Sequence, residues 1–389
     1  MAALKKVRDI DIYRDETWYC GPGPSVVVYP DDEIVVAFRR SRTAGHGHPA
    51  VEACIVRSTD GGDTWSEPVV FDSGPIRNQN LTLLSDGTLI IAMPSSDLVT
   101  REVYEELKAN TPPGRDVKVR EYPGRERSIA PDQDTYYLAE RGPYIRRSTD
   151  RGRTWSQRHY VESVPGWDPV MPGFSAPCGL RARVIELSDG TLVFPIHSMV
   201  LAPDADPDDP ANSIFTPFLV ASDDGGMNWD YRGNIAPPQM GTHFNETEVI
   251  ETPSGDIVAF MRPTFDDSDD MYIYTATSTD GGRTWSPARR ENVWGYPTSP
   301  LRMPSGRTLL AYGYRRPDWG IRAVLANEES TDIDIANELV VRGDGGARDL
   351  GYPQGWLLND GRAFVSYYFN HESDNGDTRY IAATILEEA

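Results

Sequence analysis

Five short stretches hold the residues of this chain best suited to chemistry. One runs Phe38-Arg39-Arg40-Ser41-Arg42 and is followed by His46 and His48 on either side of Gly47. A second, Asn245-Glu246-Thr247-Glu248, leads through a turn at Gly255 to Phe260-Met261-Arg262. Arg315 and Arg316 form a third, Gly320-Ile321-Arg322-Ala323-Val324-Leu325 a fourth, and Asp349-Leu350-Gly351-Tyr352-Pro353 a fifth. Arginine forks grip carboxylates in bidentate fashion, so Arg315 and Arg316 invite an anionic ligand. A histidine serves as a general acid near neutral pH more readily than an unperturbed carboxyl. The His-Gly-His spacing would also permit a metal, but no further ligands accompany it, so no metal and no cofactor are expected. His197 and His371 each end an apolar run and are further candidates for a shared site. Every one of these residues has a plainer reading: Tyr352 as core, Glu246 and Arg262 as a structural ion pair, the histidines and arginines as surface.

The elements that must position them are counted by a repeated phrase. Arg57-Ser58-Thr59-Asp60-Gly61-Gly62-Asp63-Thr64-Trp65-Ser66 returns at Arg147–Ser156, Ser222–Trp229 and Ser278–Trp285, with serine, aspartate, glycine and tryptophan in the same relative places. Such a phrase suits a tight turn: the aspartate accepts from turn N–H groups, glycine supplies positive φ, and the tryptophan anchors it. A second phrase, a polar glycine turn between apolar runs, appears as Leu84-Ser85-Asp86-Gly87-Thr88-Leu89 and Leu187-Ser188-Asp189-Gly190-Thr191-Leu192. Variants occur at Pro253–Ile257, Pro304–Thr308, Asn359–Arg362 and, more weakly, Pro30–Ile34. Six such hairpins, four of them followed by an Asp box, predict an all-β, six-bladed β-propeller with Asp-box repeats, a single domain over 1–389. Closing the ring requires the segment around Val7–Tyr13 to complete the last blade. Glycine turns and Asp boxes then share one face, and the longer loops share the other, where function is expected. The longest, about 97–141, contains a helix-like piece at Thr100–Ala109 and is expected to act as a lid or an oligomer contact. Acidic loops at Ala202–Asn212 and Asp266–Asp270 read as solvated, with calcium as the lesser alternative for the second.

A net charge of −21, with only four lysines, argues against nucleic acid as a partner and against an anionic membrane surface. Met1–Ile10 has no apolar segment of the kind that makes a secretory signal, and no run is long enough to span a bilayer. Cys20, Cys54 and Cys178 are odd in number and widely spaced, which suggests reduced thiols and a cytoplasmic location.

Asp boxes on six blades resemble the sialidase (neuraminidase) superfamily, and the resemblance covers nearly the whole chain. It implies roles residue by residue. Glu246 falls at that family's base glutamate, Arg262 and Arg322 at two arginines of its carboxylate-binding triad, and Tyr352 at its nucleophilic tyrosine. A tyrosine nucleophile suits a sugar bearing a carboxylate on its anomeric carbon, because a carboxylate nucleophile would be repelled. The chain departs from the family in blade one. Gly21-Pro22-Gly23-Pro24-Ser25 stands where the family has an arginine, and Gly47 stands where it has its acid/base aspartate. Arg39 or Arg42 is then expected to assist in binding the carboxylate, and His46 or His48 to act as acid/base. The resemblance therefore implies a retaining exo-glycosidase acting on an oligosaccharide or glycoside with a terminal acidic sugar. Two alternatives stand beside it: a uronate-directed lyase, and a non-catalytic carbohydrate- or protein-binding propeller.

Overall fold

Each Asp box folds as a hydrogen-bonded turn. In the first, Ser58 Oγ accepts from the Gly62 N–H (2.9 Å), while Asp60 accepts from the Thr64 N–H (2.9 Å) and hydroxyl (2.6 Å). Ser148 with Asp150, Ser222 with Asp224 and Ser278 with Asp280 repeat this, Asn228 taking the threonine's part in the third. In the second box Arg151 replaces the first glycine yet keeps the left-handed backbone (φ 62°), so the turn's own hydrogen bonds hold it there. The fifth unit has lost the aspartate, but Asn327 Oδ1 still accepts from the Thr331 N–H (2.8 Å) and preserves the turn.

These turns join six antiparallel sheets in a computed structural model that describes residues 3–42, 49–110, 119–121, 135–161, 178–179, 181–201, 213–237, 243–264, 270–374 and 378–389. Blade one comprises Tyr19–Cys20 with Ser25–Val28, then Ile34–Ser41, Val51–Ser58 and Val69–Gly74. Blade four, which carries Glu246, runs His243–Glu251, Ile257–Thr264, Tyr272–Ser278 and Arg289–Trp294. Blade five runs Thr298–Arg302, Thr308–Tyr314, Gly320–Ala326 and Leu339–Arg342. Blade six takes Gly351–Leu357, Ala363–Asn370 and Arg379–Glu388 from the end of the chain and its outer strand, Leu4–Tyr13, from the beginning. The ring is thus closed by strand pairing between the two ends of the chain, with Ile10 and Ile12 buried against Phe364 and Ile385. Burying each such isoleucine contributes up to about 2 kcal/mol, enough with the ladder to hold the seam.

The apolar cores lie between neighbouring blades, because strand alternation gives every blade two buried faces. Val35, Ala37 and Ile55 of blade one meet Leu89, Ile91 and Met93 of blade two, while Val36 and Phe38 turn the other way, toward blade six. Blade two's hairpin runs well past the propeller: its second strand continues to Val99, its third begins at Thr135, and Val119–Glu121 pairs beside it. The helix Arg101–Asn110 packs Tyr104 and Leu107 onto Ala139, close to the position its sequence predicts. The acidic loop 202–212 and residues 266–269 of the second lie outside the described residues; Asp270 pairs with Arg290. Among the described residues no helix is long and apolar enough to cross a membrane.

Candidate active site

Glu246 and Tyr352 sit at equivalent places at the head of the inner strands of blades four and six. Both adopt left-handed backbone, φ 34° and 50°, inside register shifts between Asn245 and Glu248 and between Gly351 and Gln354. Such a conformation costs a non-glycine residue on the order of 1–3 kcal/mol, and the bulge it makes re-aims one side chain out of the strand's alternation. The result joins residues 106 positions apart: the Tyr352 hydroxyl donates to Glu246 Oε1. Arg262, paired with Asn245 in the neighbouring strand, donates to the other oxygen, Oε2. The Glu246 N–H rests on His197 Nδ1 (3.3 Å), which places that histidine behind the glutamate's backbone.

A second arginine completes the pocket. Arg315 follows the second strand of blade five and donates to the Leu350 carbonyl (2.8 Å) and the Tyr368 hydroxyl (2.8 Å). Its guanidinium lies 5.2 Å from the centres of both the Tyr352 and Tyr296 rings, and Arg262 covers Tyr296 at 4.4 Å. Tyr368 in turn donates to Asp349 (2.6 Å), which is paired with Arg379. Tyr296, Tyr368, Asp349 and Arg379 thus support the site; of these only Asp349 belongs to a stretch the sequence singles out, the one that holds Tyr352.

These contacts set the charges. Burial works to raise the Glu246 carboxyl, but Arg262, the Tyr352 hydroxyl and the more distant Arg181 outweigh it and hold it at about 2. Burial, and then the Glu246 charge, push the Tyr352 phenol well above its ordinary value, while Arg262 and Arg315 pull the other way. The arginines favour a deprotonated phenol, but burial and the Glu246 charge outweigh them at rest. The phenol keeps its proton and donates it to an ionised glutamate.

Blade one is rebuilt where the sequence lacks an arginine. Arg39 is buried, and its guanidinium fills the room beside Gly21: a Cβ at position 21 would lie 2.2 Å from Arg39 Nε. Burial first, and the charges of Arg379 and Arg77 next, lower its pKa to about 10, so it remains a cation at neutral pH. The phenols of Tyr368 and Tyr352 lie within its electrostatic reach.

Other candidates go elsewhere. Arg322 pairs in register with Tyr312 on the face of blade five turned toward blade four. It donates to Glu338 (3.1 Å) and covers Tyr314, so strand parity takes it away from Tyr352. Arg42 donates to the Thr17 carbonyl (2.8 Å) and stacks on Trp18 at 3.7 Å rather than joining Arg39. Arg316 stacks on Trp294 (3.9 Å). His371 faces Asp344 (3.1 Å) and Ser373 (2.8 Å). His46 and His48 lie outside the described residues. Cys20 and Cys54 are buried free thiols, and burial raises both. Among the described residues no group of acidic, histidine or cysteine side chains is arranged to hold a metal.

A ring of six blades with a tyrosine–glutamate pair framed by arginines defines an Asp-box propeller of the sialidase superfamily. The chain belongs to the BNR repeat-like domain family, whose model matches residues 129–365. It is 25% identical over 287 residues to a sialidase of Micromonospora viridifaciens, covering 71% of this chain, and 28% identical over 247 residues to a sialidase of Bacteroides fragilis, covering 61%. It spans only 37% of the length of each of these relatives. A solved structure of a Dyadobacter fermentans protein of unknown function superposes over 100% of both chains with a TM-score of 0.81 at 31% identity.

Proposed function

We propose that this chain is a sialidase-type glycosidase that removes a terminal acidic sugar with retention of configuration. The observation that carries the reading is the Tyr352–Glu246–Arg262 constellation, in which a protonated phenol faces an ionised base and a fixed cation. The sialidase relatives add support. Arg262, Arg315 and Arg39 grip the substrate carboxylate, Arg39 standing in from the second strand of blade one for the absent inner-strand arginine. Tyr352 Oη attacks the anomeric carbon and passes its proton to Glu246 Oε1 as the glycosidic bond breaks. The departing oxygen takes a proton from His46 or His48. The same histidine then deprotonates a water, which displaces Tyr352 from the glycosyl intermediate, and the phenolate recovers its proton from Glu246. Without Glu246 to accept that proton, a phenol held above its ordinary pKa would be a poor nucleophile.

Aryl glycosides of sialic and uronic acids test this. The expected result is aryl alcohol release with a retained first-formed anomer, abolished in Tyr352→Phe. An unsaturated, ultraviolet-absorbing product would replace hydrolysis with a lyase reaction, as would a fully active Tyr352→Phe. Tight binding of acidic sugars with no turnover would leave a binding propeller.

A further inference from the structure

Beneath the pocket a second arginine–glutamate pair spans the centre of the ring. Arg181, from the inner edge of blade three, is only 1% exposed, as is the side chain of Glu248, its ion-pair partner on blade four. Its other terminal nitrogen donates to the Pro353 carbonyl of blade six (2.6 Å), and a weaker contact reaches the Thr298 carbonyl of blade five (3.4 Å). The guanidinium lies 5.6 Å from the centre of the Tyr352 ring. Arg183, two residues on, repeats the span to the Pro300 (3.1 Å) and Gly355 (2.9 Å) carbonyls.

Both of Arg181's main partners belong to the strained bulges. Glu248 ends the register shift that turns Glu246, and Pro353 lies inside the one that turns Tyr352. One rigid fork therefore ties together the two backbone segments whose side chains meet above it. Blade five separates blades four and six, so no ladder hydrogen bond fixes the two left-handed residues in mutual register. We infer that Arg181 is a positioning residue: by bridging Glu248 and the Pro353 carbonyl it fixes the distance between Glu246 and Tyr352. A planar guanidinium can bond both at once, whereas an ammonium acts as a point charge. The groups facing Glu246 are the cations Arg262 and Arg181 and the neutral Tyr352 phenol, so Arg181 also helps keep the glutamate ionised.

The inference rests on the glycosidase reading, and the test separates the two. Arg181→Lys keeps the charge but loses the fork. It is expected to lower kcat about 100-fold, as misplacement of reacting groups by roughly 1 Å does, with KM unchanged within about twofold and the acid limb of kcat/KM in place. Arg181→Met/Glu248→Met removes the pair together and leaves Arg183 on the Pro300 and Gly355 carbonyls, so the protein is expected to fold. It is expected to show a similar loss of kcat. A purely structural role would instead lower Tm and leave kcat per folded molecule untouched in both variants, which would overturn the inference. Tyr352→Phe is run in parallel: if that variant retains activity the glycosidase reading itself falls, and if it alone is inactive only the role of Arg181 does.

Discussion

Arg262→Met tests the electrostatics of the site most directly. The substitution keeps the length of the side chain and removes the cation that does most to lower the Glu246 pKa. Glu246 is held at about 2 against 4.5 for a free glutamate, and at about 1.4 kcal/mol per pH unit this amounts to roughly 3 kcal/mol of stability. Because the folded-state pKa is the lower one, that stability is fully present above pH 4.5 and disappears as pH falls toward 2. With Arg262 gone, burial offsets the remaining influence of the Tyr352 hydroxyl and Arg181, and the carboxyl returns toward its free value. The variant should therefore be less stable than the parent by about 3 kcal/mol at pH 7, within the usual cost of stranding one member of a buried pair. The gap should narrow as the pH approaches 2–3. Urea unfolding of both proteins across that range measures it. The acid limb of kcat/KM should move up by about two pH units, since catalysis needs the ionised glutamate. Arg262→Lys, which keeps the charge, should restore the limb more than it restores KM. A stability gap that does not change with pH, or an acid limb that stays in place in the methionine variant, would refute the argument.

Tyr352→Phe should lose turnover by at least about 10³-fold while its Tm stays close to the parent's, because the ring's packing is kept and only the nucleophile goes. Activity and thermal unfolding measured on one preparation check this. Gly21→Ala should push the Arg39 guanidinium off its position, since the new Cβ would lie 2.2 Å from Nε. The expected outcome is a KM for acidic glycosides raised about 10–100-fold, the worth of a charge-assisted hydrogen bond, with a smaller change in kcat. Replacing residues 101–134 with a short turn between Thr100 and Thr135 should leave the propeller folded, because the helix packs on the extended hairpin rather than on the blades. It should alter either KM or the sedimentation coefficient, and a change in neither would make the insert dispensable.

The Asp boxes were legible because every bond that makes them closes within a few residues, as Ser58 to Gly62 and Asp60 to Thr64 do. Counting the six glycine-turn hairpins gave the blades, and the need to pair an open edge gave the seam around Val7–Tyr13, which the strand Leu4–Tyr13 forms. Glu246 and Arg262 lie in one hairpin, 16 residues apart, so their meeting is also nearly local. The insert's helix followed from its own composition.

Tertiary structure decided the rest, for reasons of parity and crossing. Whether Arg315 or Arg322 reaches Tyr352 depends on which side of blade five each emerges from, and a one-residue difference in a strand reverses the answer. Arg39 comes within electrostatic reach of Tyr352 because Gly21, just past the end of another strand, leaves it room. The bulges that turn Glu246 and Tyr352 leave no mark in residue type, since nothing about glutamate or tyrosine favours positive φ. They persist because contacts such as that of Arg181 with Pro353 cross the channel from one blade to another, and a one-dimensional pattern contains no record of what lies on the far side of a ring.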